Sequence, residues 1–121
     1  DAAMNDLLRP SIYQAYHNIQ PLEKFNGRKE IVVDVVGPVC ETGDYFARDR
    51  KITEMKSGEF ITIMSSGAYG IVMSSNYNAR RRPAEILVDG NKYFVIRSRE
   101  TFEHLLWDEK IIQPLFFSPH S

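Results

Sequence analysis

The sequence predicts a mainly β, antiparallel fold, a sandwich or Greek-key barrel, with two short helices. Three observations carry that expectation. Residues 30–36 are dominated by β-branched side chains, with Ile31, Val33 and Val35 on one face and Val32, Asp34 and Val36 on the other. Residues 58–64 alternate in the two-residue period of a strand. Asp89-Gly90 stands between two β-like runs, residues 84–88 and 91–97, as in a two-residue type I′ hairpin.

Taken in order, Asn5 and Asp6 are candidate caps for a first helix within residues 5–15. Pro10 confines that helix to two or three turns, because proline is tolerated only in the first turn. Residues 14–19 read as a strand, and Asn26-Gly27-Arg28 as a polar loop. The valine-rich strand at 30–36 is expected to be buried on much of both faces, and Gly37-Pro38 ends it. Residues 45–52 form a weaker, charged strand suited to an edge. Gly67 and Gly70 bracket Ala68-Tyr69, a turn where backbone can approach a neighbour closely. Residues 101–109 close the pattern as a helix capped by Thr101, with Phe102, Leu105 and Leu106 on one face.

Composition narrows the function. Hydrophobic residues at 43% and charged residues at 26% suit a globular chain of 121 residues rather than a disordered one. Fifteen Lys and Arg against 16 Asp and Glu leave no basic footprint for nucleic acid. No apolar run reaches membrane-spanning length. The single cysteine, Cys40, excludes an internal disulfide and a Cys-rich zinc site. His17, His104 and His120 lack metal-ligand spacing and read as structural or surface residues; no metal site is expected.

Arg9 and Tyr13 lie four apart, on one face of a helix, and could hold a carboxylate; spacing by itself favours a solvated arginine beside a packed tyrosine. Cys40-Glu41 joins a thiol and a carboxylate at a strand end, a pair suited to proton transfer and amine binding, although a free cysteine is more often core. Asp44 reads as a turn residue. Tyr69 serves equally as a packed turn residue or as a hydroxyl reaching a phosphate. Arg80-Arg81-Arg82 reads as a solvated rim.

Several segments together resemble the C-terminal region of diaminopimelate decarboxylases. DAAMNDLLRPSIY, residues 1–13, is similar to the family's D-A-G-M-N-D-L-I-R-P-A-L-Y. VGPVCETGD, residues 36–44, with ARDR at 47–50, resembles V-G-P-I-C-E-S-G-D and the A-R-D-R that follows. GAYG at 67–70, MSSNYN at 73–78, RPAE at 82–85 and RET at 99–101 follow in the family's order, to about Leu106. Ala3 and Thr42 depart from the usual glycine and serine, and residues 107–121 have no counterpart.

The resemblance implies an alanine-racemase-type C-terminal β domain, residues 1–121, of a pyridoxal 5′-phosphate enzyme. That enzyme removes a carboxylate from meso-diaminopimelate to give L-lysine. The Schiff-base lysine and phosphate cradle are expected on an N-terminal (β/α)8 barrel outside this chain, so the chain alone is expected to be inactive. Arg9 and Tyr13 match substrate-holding residues. Cys40 (proton handling) and Glu41 (substrate amine) match a pair given across a homodimer interface, and Tyr69 matches a cofactor contact. A cytoplasmic enzyme, without nucleic-acid or membrane partners, is implied. Ornithine, arginine or carboxynorspermidine decarboxylases are the nearest alternatives, and Glu41 with Gly43-Asp44 favours diaminopimelate. A non-enzymatic β module for oligomerisation or binding is the alternative of another class.

Overall fold

Residues 1–113 are described by the structure, a computed structural model; His120 and the end of the segment without family counterpart lie outside them. The chain runs α1 (Arg9–Tyr13), β1 (Ile19–Pro21), β2 (Glu30–Val36), β3 (Tyr45–Thr53), β4 (Ile61–Ile63), β5 (Glu85–Asp89), β6 (Lys92–Arg97) and α2 (Phe102–Leu105), with two 3-10 turns at Ile71–Met73 and Tyr77–Ala79. All pairing is antiparallel, in three two-stranded ladders: β1 with β4, β2 with β3, and β5 with β6. The expected β-rich, antiparallel architecture with two short helices is what forms.

Pro10 sits in the first turn of α1, as its fixed φ and missing N–H require. Neither Asn5 nor Asp6 caps the helix. Leu8 is the N-cap, and Asp6 instead accepts the Ala3 N–H at 2.9 Å to close the preceding turn. Asn5 is buried and ties this turn to a distant segment: its carbonyl accepts the Ser75 N–H at 3.0 Å. The helix stops at Tyr13 because Gln14 turns left-handed, with φ 52°.

That reversal displaces the first strand. It was expected at residues 14–19 and lies at Ile19–Pro21. Its partner β4 is shorter than the alternating run predicts, because Gly58 (φ +91°) belongs to the preceding turn. Backbone bonds beyond the ladder, Met64 N–H to Asn18 O at 2.8 Å and Leu22 N–H to Phe60 O at 2.9 Å, extend the pairing by one residue at each end.

β2 pairs with β3 along its length, but it buries only one side. Ile31, Val33 and Val35 point inward, while Val32 and Val36 are 59% and 63% exposed, so burial of both faces does not occur. A two-stranded ladder with one packed face accounts for the difference. β3 carries a bulge, since Val33 faces Arg50 and Val35 faces Ala47. The extra residue is accommodated by Asp49 at φ 48°, whose N–H donates to Asp34 Oδ1 at 2.8 Å. The core gathers Leu7, Ile19, Phe46 and Ala47, with Val35 and Ile63 packed against it.

The β5–β6 hairpin joins through Gly90-Asn91, not Asp89-Gly90, because Asp89 is already paired with Lys92. Only Gly90 of the two has positive φ (58°), the pattern of a II′ turn rather than the expected I′. Arg82 and Glu100 tie the hairpin's base to the 74–76 segment. Glu100 accepts the Arg82 backbone N–H at 2.7 Å and Asn76 Nδ2 at 2.6 Å, while Arg82 Nε donates to Ser74 Oγ at 3.0 Å. Arg80 and Arg82 are therefore not the solvated rim their sequence suggests; of the three, only Arg81 is exposed, over the Phe102 ring at 4.5 Å. α2 is a single turn. Its Thr101 N-cap is held by a backbone N–H donated to His104 Nδ1 at 2.9 Å, so the helix-start reading stands and the expected length does not.

Candidate functional site

α1 positions the first candidates. Arg9 is half-buried, Tyr13 is exposed, and the guanidinium of Arg9 lies 6.0 Å from the centre of the Tyr69 ring. The geometry thus adds to the Arg9–Tyr13 pair a tyrosine that spacing could not connect to it. Tyr69 sits between the two glycines at φ 60°, and its ring is 63% exposed. At Gly70 a Cβ would overlap the Ser66 carbonyl, so the glycine allows the turn to close.

Cys40 and Glu41 stand exposed at the tip of the loop linking β2 to β3. Cys40 is not a core cysteine. Glu41 is held by three donors: the Gly43 N–H at 3.1 Å, the Thr42 hydroxyl at 3.2 Å and the Tyr77 hydroxyl at 3.4 Å. Gly43 above all, then Thr42, keep its carboxyl below the usual carboxylate range. It therefore stays anionic at neutral pH, the state that meets an ammonium group. Ser11, between Arg9 and Tyr13 on α1, donates its hydroxyl to the Gly43 carbonyl, so one short helix braces the Cys40-Glu41 loop and carries the arginine.

Neither of two surface cavities encloses these side chains. A pocket of about 370 Å³ lies between α1 and β3, lined by Tyr16, Tyr45, Arg48 and Arg50 among others. An apolar groove of about 580 Å³ runs between the core and the hairpin, past Leu7, Phe46, Ile61, Ile63, Ile86 and Ile96. The candidates instead present their polar ends on open surface.

Three residues matter here that sequence reasoning undervalued. Asp44, read as an ordinary turn residue, is 4% exposed and accepts backbone N–H groups from Met4 at 2.7 Å and Val39 at 2.6 Å. Tyr77 and Ser11 reach the loop only through the fold, from 36 and 32 residues away, and no local pattern marks them. His17 is structural as expected, fully buried with Nδ1 3.0 Å from the Met64 carbonyl.

An antiparallel β unit behind a short Arg-Pro helix is the frame on which these residues stand. The family described as pyridoxal-dependent decarboxylase, C-terminal sheet domain, matches residues 1–67, and the chain belongs to it. Among individual proteins, the chain is 53% identical over 106 residues to the diaminopimelate decarboxylase of Aquifex aeolicus, covering 88% of this chain and 25% of that enzyme. A crystal structure of an Aquifex aeolicus protein superposes with a TM-score of 0.88 at 51% identity, over 93% of this chain and 28% of that one. Diaminopimelate decarboxylase from M. jannaschii, solved in complex with L-lysine, superposes with a TM-score of 0.85 at 41% identity, over 93% and 25%. The chain thus spans about a quarter of the length of the relatives it matches. No helix among the described residues is long and apolar enough to cross a membrane.

Proposed function

We propose that residues 1–121 serve as the C-terminal β domain of a diaminopimelate decarboxylase, which converts meso-diaminopimelate to L-lysine and carbon dioxide in the cytoplasm. One observation supports this reading above the others: side chains suited to carboxylate, amine and proton, Arg9 half-buried and Tyr13, Cys40 and Glu41 exposed, are carried or braced by one helix. Such a surface is half of a site. The complementary half belongs to a (β/α)8 barrel and to a second subunit, in a homodimer with shared active sites.

Tyr69 fits a pyridoxal 5′-phosphate contact, because its phenol is exposed on a glycine-flanked turn beside the Arg9 guanidinium. When bound, the cofactor ring withdraws electrons from the carbon that loses its carboxylate. The chain's own residues do the rest. Arg9 receives a substrate carboxylate through its guanidinium fork, with the Tyr13 hydroxyl as second donor. Glu41 accepts the substrate's distal ammonium. Replacing carboxylate by hydrogen consumes one proton, and Cys40 Sγ delivers it to the reacting carbon.

The test is complementation in the full-length enzyme. Cys40→Ala should lower turnover, and so should loss of the Schiff-base lysine. Mixed dimers of the two should regain partial activity, because one of their two sites holds both intact groups. Mixed dimers that form and stay inactive would show that Cys40 acts within its own subunit. The 121-residue chain alone should release no carbon dioxide from meso-diaminopimelate with added pyridoxal phosphate.

A further inference from the structure

Cys40 and Glu41 are exposed, so packing does not place them; beside the Ser11 brace and the Tyr77 hydroxyl, the base of their loop holds them. We infer that Asp44 is the positioning residue for this pair, with Gly37 as the space its carboxylate needs. The inference rests on the decarboxylase reading for its kinetic consequences only.

Four contacts converge on Asp44. Its Oδ1 accepts the Met4 N–H at 2.7 Å and its Oδ2 accepts the Val39 N–H at 2.6 Å. Its carbonyl accepts the Gly37 N–H at 3.0 Å, and its own N–H donates to the Glu41 carbonyl at 3.0 Å. One buried side chain therefore joins both ends of the loop and locks it to the turn that leads into α1. The two bonds to the carboxylate are short and charge-assisted, the strong class for backbone donors. A Cβ on Gly37 would overlap both Asp44 carboxylate oxygens, so the carboxylate occupies the room that a side chain there would take. The loop thus holds the thiol and Glu41 at a set offset from Arg9. Sites on loops keep their geometry only with such support behind them.

Asparagine at this position has one acceptor oxygen for two N–H groups, and its amide hydrogens face the other donor. Asp44→Asn should therefore release either Met4 or Val39, with backbone amide exchange at that residue about tenfold faster or more in the 121-residue chain. In the full-length enzyme it should raise KM for diaminopimelate and lower kcat together. A merely smaller folded fraction would lower kcat alone.

Gly37→Ala should reproduce both effects by displacing the carboxylate, and it carries the test if Asp44→Asn does not fold. In an Asp44→Ser background, where a Cβ has room, Gly37→Ala should add little. Unchanged exchange at both amides overturns the proposal. So do wild-type kcat and KM in Asp44→Asn beside a Cys40→Ala enzyme that has lost turnover, a result that leaves the decarboxylase reading standing. Wild-type turnover in Cys40→Ala sinks that reading, and the kinetic role of Asp44 with it.

Discussion

Glu100→Ala probes the tie that holds the 74–82 segment, and with it Tyr77, in place. The Glu100 carboxylate accepts three hydrogen bonds: Asn76 Nδ2 at 2.6 Å, the Arg82 N–H at 2.7 Å and Arg82 Nη1 at 3.1 Å. The Arg82 N–H, then Asn76 and the guanidinium, hold its carboxyl below the usual range. Hydrogen bonds to a charged group contribute ~1.5–3 kcal/mol each, but these share one carboxylate. The side chains are also 33% and 21% exposed, which screens the ion pair. Truncation leaves the Arg82 backbone N–H without its acceptor, whereas the Arg82 guanidinium keeps its bonds to Ser74 and Asn76 keeps the Arg80 carbonyl at 3.0 Å. The expected loss is therefore about 2–3 kcal/mol, below the cost of breaking a fully buried pair. Urea unfolding of the 121-residue chain measures it, as a midpoint lowered by roughly 1–2 M at unchanged slope. Glu100→Gln, which keeps one acceptor oxygen, should cost about half as much. A midpoint unmoved by Glu100→Ala would return Arg82 and Glu100 to a solvated surface and detach Tyr77 from any structural argument.

Three further outcomes are expected. In the full-length enzyme, Arg9→Ala should raise KM for diaminopimelate about tenfold or more, and Arg9→Lys should not restore it, because an ammonium cannot reproduce the guanidinium fork; wild-type kinetics in Arg9→Ala would return the residue to a solvated role. Arg28, then the Lys56 N–H, push the Glu59 carboxyl from its ordinary 4.5 down to about 2, so its contribution to stability is present above pH 4.5 and is lost as pH falls toward 2. Glu59→Gln should thus be less stable than wild type at neutral pH, and a gap that did not close between about pH 4.5 and 2 would refute the assignment. Last, Val88, Tyr93, Val95 and Ile96 leave the hairpin apolar and exposed, so the 121-residue chain should self-associate at micromolar concentration; sedimentation as a 14.0 kDa monomer throughout a dilution series would contradict this.

By itself, the sequence determined what short-range chemistry controls. Valine and isoleucine periodicity placed β2, Asp89-Gly90 marked the hairpin although its turn falls one residue on, Pro10 kept the first helix short, and Thr101 marked the start of α2. These choices rest on φ preferences and side-chain alternation within a few residues, so they survive without tertiary context. The family could be read for a related reason: Arg9, Tyr13, Cys40, Glu41 and Tyr69 lie in short segments whose order is linear. Strand ends could not be read this way. β1 and β4 are only as long as their mutual ladder, and β2 exposes Val32 and Val36 because no second layer among the described residues covers them.

Only the tertiary structure decided which polar residues are working parts. Arg80 and Arg82 looked like surface and are braced against the 74–76 segment and the N-terminal turn. Asp44 looked like a turn and is the buried acceptor on which two segments converge. Tyr77 and Ser11 reach the Glu41 loop across more than thirty residues. Buried polar groups must find partners, and in this chain the partners come from distant segments, so their identity follows from packing that no local pattern encodes.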